Sequence, residues 1–263
     1  MTQKIMTWLT ASMIIGLTAC SKGDKASPAN PDVPQAGKGI VAGKVVDEHG
    51  KPVTGVKVYA DHTEYYNTNV IGTTDENGKY SLDISHLGGT YKVHGELTKS
   101  YNGIPYKFDV YADNDAPVNS TDGGVRNLTW KLTGIVPGTM NSTIGGLVNF
   151  QQVFGNEEYW QWQDVEITLV PVGKLVDGSD GETIVKKAED FPERIGAYNN
   201  IGLNDVPVGR YKISMRYVPQ NAPAVNLIIK LRDENEYAPE ITADFQQREG
   251  TGFQEIPLDI KFP

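Results

Sequence analysis

The chain has 263 residues, a net charge of −9, 39% apolar residues, 28 Gly, 15 Pro and a single Cys. Its length predicts two domains at roughly 100–150 residues each. The acidic balance argues against a nucleic-acid partner, because phosphate recognition needs a basic patch. No apolar run reaches the roughly 18 residues of a spanning helix, and the lone Cys excludes an intrachain disulfide.

Residues 1–19 read as a secretory signal peptide: Lys4 is a short basic start, and a mostly apolar stretch runs from Ile5 to Leu17. The stretch Leu17-Thr18-Ala19-Cys20 resembles the lipobox of bacterial lipoproteins, an aliphatic residue and two small ones before Cys. An ordinary signal peptide with a Cys there by chance is the alternative. The resemblance implies export, transfer of a diacylglyceryl group to the Cys20 thiol, and cleavage before Cys20. Several acyl chains would then anchor the chain stably, at about 0.8 kcal/mol per buried CH₂. Ser21 follows Cys20; the absence of Asp there, within the same resemblance, points to the outer membrane. A membrane is therefore the first expected partner, and the cell envelope the expected location. Residues 20–38 carry Pro28, Pro31 and Pro34 among small polar residues and form a flexible tether, able to span about 50 Å when extended.

Residues 39–133 alternate as strands. Predicted runs are Ile40–Val46, Val56–Ala60, Val70–Thr74, Tyr80–Ile84, Thr90–Glu96, Tyr106–Tyr111 and Val125–Leu132. Val56, Val58 and Ala60 share one face, as a period of two requires. Asn77-Gly78 between two such runs predicts a hairpin. Seven short strands separated by turns predict a β-sandwich. The segments GKVVDEHGKPVTGVKVYA and TTDENGKYSLDI resemble the carboxypeptidase regulatory-like domain, a transthyretin-like sandwich of the carbohydrate-binding-like fold group. The matching residues are Gly43, Val45, Asp47, Gly50, Pro52, Val53, Gly55, Val56 and Val58, then Thr74, Asp75, Gly78 and Tyr80. The resemblance covers about a third of the chain and speaks to fold more than to function.

Residues 134–263 repeat the pattern. Val165, Ile167 and Leu169 alternate with Glu166 and Thr168, and Tyr211, Ile213, Met215 and Tyr217 with Lys212, Ser214 and Arg216. The stretch IGLNDVPVGRYKISM resembles the turn and strand of the same fold group and of CnaB-like modules. A second sandwich related to the first by duplication is expected, with a polar insert at 173–196. The whole is predicted to be all-β, two tandem Ig-like or transthyretin-like sandwiches packed end to end.

Tyr159, Trp160, Gln161, Trp162, Gln163 and Asp164 form the leading candidate site. If the strand through Val165–Leu169 continues backward, Trp160 and Trp162 fall on the outer face. Exposed indoles would stack on a sugar ring, and Gln161, Gln163 and Asp164 would bond its hydroxyls. A bulge that flips the register would bury the indoles instead. Tyr65, Tyr66, Tyr101 and Tyr106 lie in or beside loops, where they form a recognition surface or cover the sandwich ends. His49, His62, His86 and His94 lack a third ligand at metal spacing, and Asp113-Asn114-Asp115 and Asp177 to Glu182 read either as Ca²⁺ sites built from oxygen ligands or as solvated loops. No G-x-S-x-G or zinc-protease motif is present, and no cofactor is expected. Two functions follow: a non-catalytic envelope module that binds glycans, or a structural or protein-interaction lipoprotein that serves as a spacer or assembly partner.

Overall fold

A computed structural model of the chain describes residues 36–152, 160–191, 201–247 and 253–263. Cys20, the signal segment, most of the tether and Tyr159 lie outside the described residues. The fold is all-β.

The first lobe holds β1 (Ile40–Asp47), β2 (Lys57–His62), β3 (Asn69–Thr73), β4 (Lys79–Asp83), β5 (Thr90–Tyr101), β6 (Ile104–Ala112), β7 (Val118–Asn119), β8 (Gly124–Val125) and β9 (Leu128–Trp130). Hydrogen bonds run in the order β3-β2-β5-β6-β9-β1-β4. The two ends of this path meet: a Cβ on Gly72 of β3 would lie 2.6 Å from the Leu82 side chain of β4. The path thus folds over into two layers, with Val41, Val58, Leu82, Val93, Val110 and Leu128 buried between them. Alternation places these side chains. In β2, Val58, Ala60 and His62 are buried while Lys57 is exposed.

The Asn77-Gly78 turn joins layers and is not a hairpin. β3 pairs with β2, and β4 with β1. Asn77 keeps a negative φ while Gly78 is at +72°. The Asp75 carboxylate accepts the N–H groups of Asn77 and Lys79 and so closes a five-residue turn. Asp47 does the same for His49 and Lys51, with Gly50 at φ +79°. The Asp-Glu-x-Gly-Lys repeat therefore builds one turn twice. The Asn-Gly hairpin is at Asn102-Gly103, between β5 and β6, where both residues have positive φ.

The second lobe holds β10 (Gly146–Gln152), β11 (Val165–Pro171), β12 (Ile184–Lys187), β13 (Glu189–Asp190), β14 (Ile201–Val206), β15 (Arg210–Tyr217), β16 (Val225–Asn226), β17 (Ile228–Leu231), β18 (Glu240–Asp244), β19 (Gln246–Gln247) and β20 (Gln254–Lys261). One sheet is β13-β14-β10-β20-β17 and the other contains β12-β11-β15, with β16 and β18 also on β15. Ile167, Leu169, Ile213 and Met215 meet Val148, Phe150, Leu203, Ile256 and Leu258 in the core.

The pairing scheme of the first lobe recurs. β1 lies antiparallel to β4 and parallel to β9; β10 lies antiparallel to β14 and parallel to β20. β2 sits between β3 and β5; β11 sits between β12 and β15. Two buried tyrosines mark the same corner. Tyr91 donates its hydroxyl to the Leu87 carbonyl (3.1 Å) and Tyr211 to the Pro207 carbonyl (2.9 Å), each four residues upstream. The expected insert at 173–196 carries β12 and β13. β12 reads as insert because its side chains are half-buried or exposed and lack apolar alternation.

The lobes belong to one compact unit, Asp32–Pro263, and share a continuous apolar core. The β5–β6 hairpin clamps them. Tyr101 donates its hydroxyl to the Lys174 carbonyl (2.7 Å) and accepts the Arg210 N–H (3.1 Å). Asn102 donates to the Asp244 carboxylate (2.8 Å), which also holds Arg210 through Nε (3.0 Å). Tyr106 donates to the Phe245 carbonyl (2.7 Å). The connection is latched as well: Asp205 accepts the N–H groups of Gly134 and Gly145.

Candidate functional site

The segment before β11 does not continue as a strand. Trp162–Asp164 is a 3₁₀ turn, closed by the Asp164 N–H donating to the Gln161 carbonyl (3.0 Å). A 3₁₀ turn rotates about 120° per residue where a strand rotates 180°, so counting back in twos from Val165 fails here. Trp160 and Trp162 are half-buried and pack against the core, while Gln161 and Gln163 are exposed. The expected platform of two outward indoles is thereby corrected.

Trp160 packs among aromatic rings. Its ring is stacked with Phe150 at 6.3 Å and edge-on to Tyr217 at 6.0 Å and Phe262 at 6.2 Å. None of these four rings lines the groove that the segment borders. The Gln161 N–H donates to the Tyr217 hydroxyl, and the Val218 N–H to the Asp164 carbonyl. The turn is thereby tied to the end of β15.

What opens to solvent beside this turn mixes amide and carboxylate side chains with apolar surface from Pro219 and Ala222. Gln161, Gln163 and Asp164 line a shallow groove of about 460 Å³ with Pro219, Gln220, Asn221 and Ala222. Four amide-bearing residues and one acidic residue thus line a common space. Lys187 of β12 holds Asp164 at 3.3 Å from one side. The three polar residues expected from sequence are brought together. Gln220 and Asn221 are additions; they follow β15 in a stretch with no periodic signal, and only the turn brings them near Gln161.

The other candidates separate cleanly. Tyr101 and Tyr106 point into the lobe interface. Tyr65 and Tyr66 stand out from the β2–β3 loop, 56% and 100% exposed. His62 supports that loop from inside: Nδ1 accepts the N–H groups of Glu64 and Tyr65, so Nε2 carries the proton donated to the Gly88 carbonyl (2.8 Å). His94 pairs with Asp61 (2.8 Å) and stacks on Tyr59. Asp115 pairs with Lys92, and Asp180 with Lys174. Among the described residues no helix is long and apolar enough to cross a membrane.

No family model matches the chain, and no curated protein matches it. Fold and groove together define an all-β protein of two sandwich lobes with a shallow surface recess.

Proposed function

We propose that this chain is a cell-envelope lipoprotein, acylated on Cys20 and held at the outer membrane, whose folded part is a non-catalytic binding module for glycans. One observation carries the ligand reading: Gln161, Gln163, Gln220, Asn221 and Asp164 converge on an open recess. Amides donate and accept at once, as sugar hydroxyls do, and the carboxylate adds a charged acceptor. An apolar small molecule would want an enclosed greasy pocket instead. The lipobox residues Leu17–Cys20 support the anchor. The first lobe is taken as a relative of the carboxypeptidase regulatory-like domain. Its motif residues have defined work, with Asp47 and Asp75 closing turns and Thr74 bridging Val53 and Val56.

A glycan array probed with residues 32–263, one compact unit, tests the ligand. Binding is expected, and Gln163→Ala with Asn221→Ala should cut it at least tenfold while circular dichroism stays unchanged. A blank array ends the glycan reading. A second reading, a protein-interaction lipoprotein, is favoured by the fully exposed Tyr66 on a loop with a rigid base. A partner captured from envelope extracts by the wild-type chain and lost with Tyr66→Ala would select it.

A further inference from the structure

One ligand atom from each of Glu48, His49 and Asp177 lies within 4.8 Å of the others. Glu48 and His49 belong to the first lobe, in the turn after β1; Asp177 belongs to the loop after β11 in the second. From this placement we propose that the three residues form a zinc-type divalent cation site that fastens the two lobes together.

The donor set is one imidazole nitrogen and two carboxylates, which suits zinc better than calcium or magnesium, whose sites are built from oxygen alone. In a tetrahedral zinc site with bonds of about 2.0–2.1 Å, neighbouring ligand atoms stand about 3.3 Å apart. Closing from 4.8 Å needs only side-chain rotation, and Glu48 and His49 are exposed and free to rotate. A water would complete the coordination.

Both backbones are already fixed. Asp47 closes the turn that presents Glu48 and His49, accepting from His49 (3.0 Å) and Lys51 (2.8 Å). Ser179 donates its N–H (2.9 Å) and hydroxyl (2.6 Å) to one Asp177 oxygen, which leaves the other for an ion. Tyr101 of the first lobe bonds the Lys174 carbonyl at the start of the same loop. The loop is thus held against the first lobe, and the ion would add a second fastening on the His49 side.

Isothermal titration of the tag-free chain with ZnCl₂ tests this, alongside His49→Ala and Asp177→Asn. The asparagine keeps an oxygen for Ser179 while losing the charge and one acceptor oxygen, and His49 is exposed, so each variant should keep the wild-type melting temperature without metal. One saturable zinc per chain is expected, with affinity lowered at least tenfold by either variant. Zinc should raise the melting temperature of the wild type alone. Dependence on both residues is the signature of a bridge, since they sit on different lobes. Absence of saturable binding in the wild type, or undiminished binding in either variant, overturns the proposal.

Discussion

Tyr106 is fully buried at the lobe boundary, and its hydroxyl has one described partner, the Phe245 carbonyl. Burial, then the nearby Asp244 carboxylate and Tyr101, push its pKa from 10.0 up to about 12. Burial likewise raises Tyr80, which donates to the Arg126 carbonyl, and Tyr211 in its corner. A group that must stay protonated when folded stabilises the fold below its unfolded pKa, and that stability is lost as pH rises through the folded value. Stability should therefore hold below pH 10 and fall between pH 10 and about 12. Following ultraviolet absorbance of tyrosinate beside circular dichroism should show late-ionising tyrosines titrating together with unfolding. Tyr106→Phe should flatten part of that pH slope, at a cost near neutrality of about 1–2 kcal/mol for the carbonyl left without its donor.

At the scale of elements, the segment around the 3₁₀ turn decides what the tryptophans do. Trp160→Ala removes a ring that touches Phe150, Tyr217 and Phe262. It should lower stability by roughly 2 kcal/mol, somewhat under the range for fully buried rings. Urea denaturation measures this; an unchanged midpoint would contradict the packing described. Strand positions were legible because alternation is local: Val56, Val58 and Ala60 announce β2 by themselves. The 3₁₀ turn was not, because Trp-Gln-Trp-Gln alternates as well as any strand. Only the ties from Gln161 to Tyr217 and from Asp164 to Val218 break the period. The corner tyrosines were legible in principle, since Gly89-Thr90-Tyr91-Lys92-Val93 and Gly209-Arg210-Tyr211-Lys212-Ile213 align. They carry the duplication more directly than the turn before them.

Across the whole molecule, the clamp from the β5–β6 hairpin and the shared core make two lobes one folding unit. Calorimetry should record a single transition for the wild type. Tyr101→Ala with Tyr106→Ala removes the bonds to Lys174, Arg210 and Phe245 and should split it into two. Two transitions in the wild type would mean that the lobes unfold independently. The short join at Gly134–Gly138 carried the expectation of two sandwiches packed end to end. That Tyr101 and Tyr106 look across the boundary was not, because hairpin tyrosines look alike whether they face water or a neighbour.

By itself the sequence determined the all-β class and strands β1 to β6 of the first lobe, and it named Gln161, Gln163 and Asp164 among the groove residues. Each follows from a repeat of two or from a turn residue whose backbone is special, and both are properties of a few consecutive side chains. Tertiary structure alone decided which layer β3 and β4 join, which way Trp160 and Trp162 face, and how Gln161 meets Asn221 and His49 meets Asp177. Those outcomes depend on packing between residues far apart in the chain, where no local period carries the information.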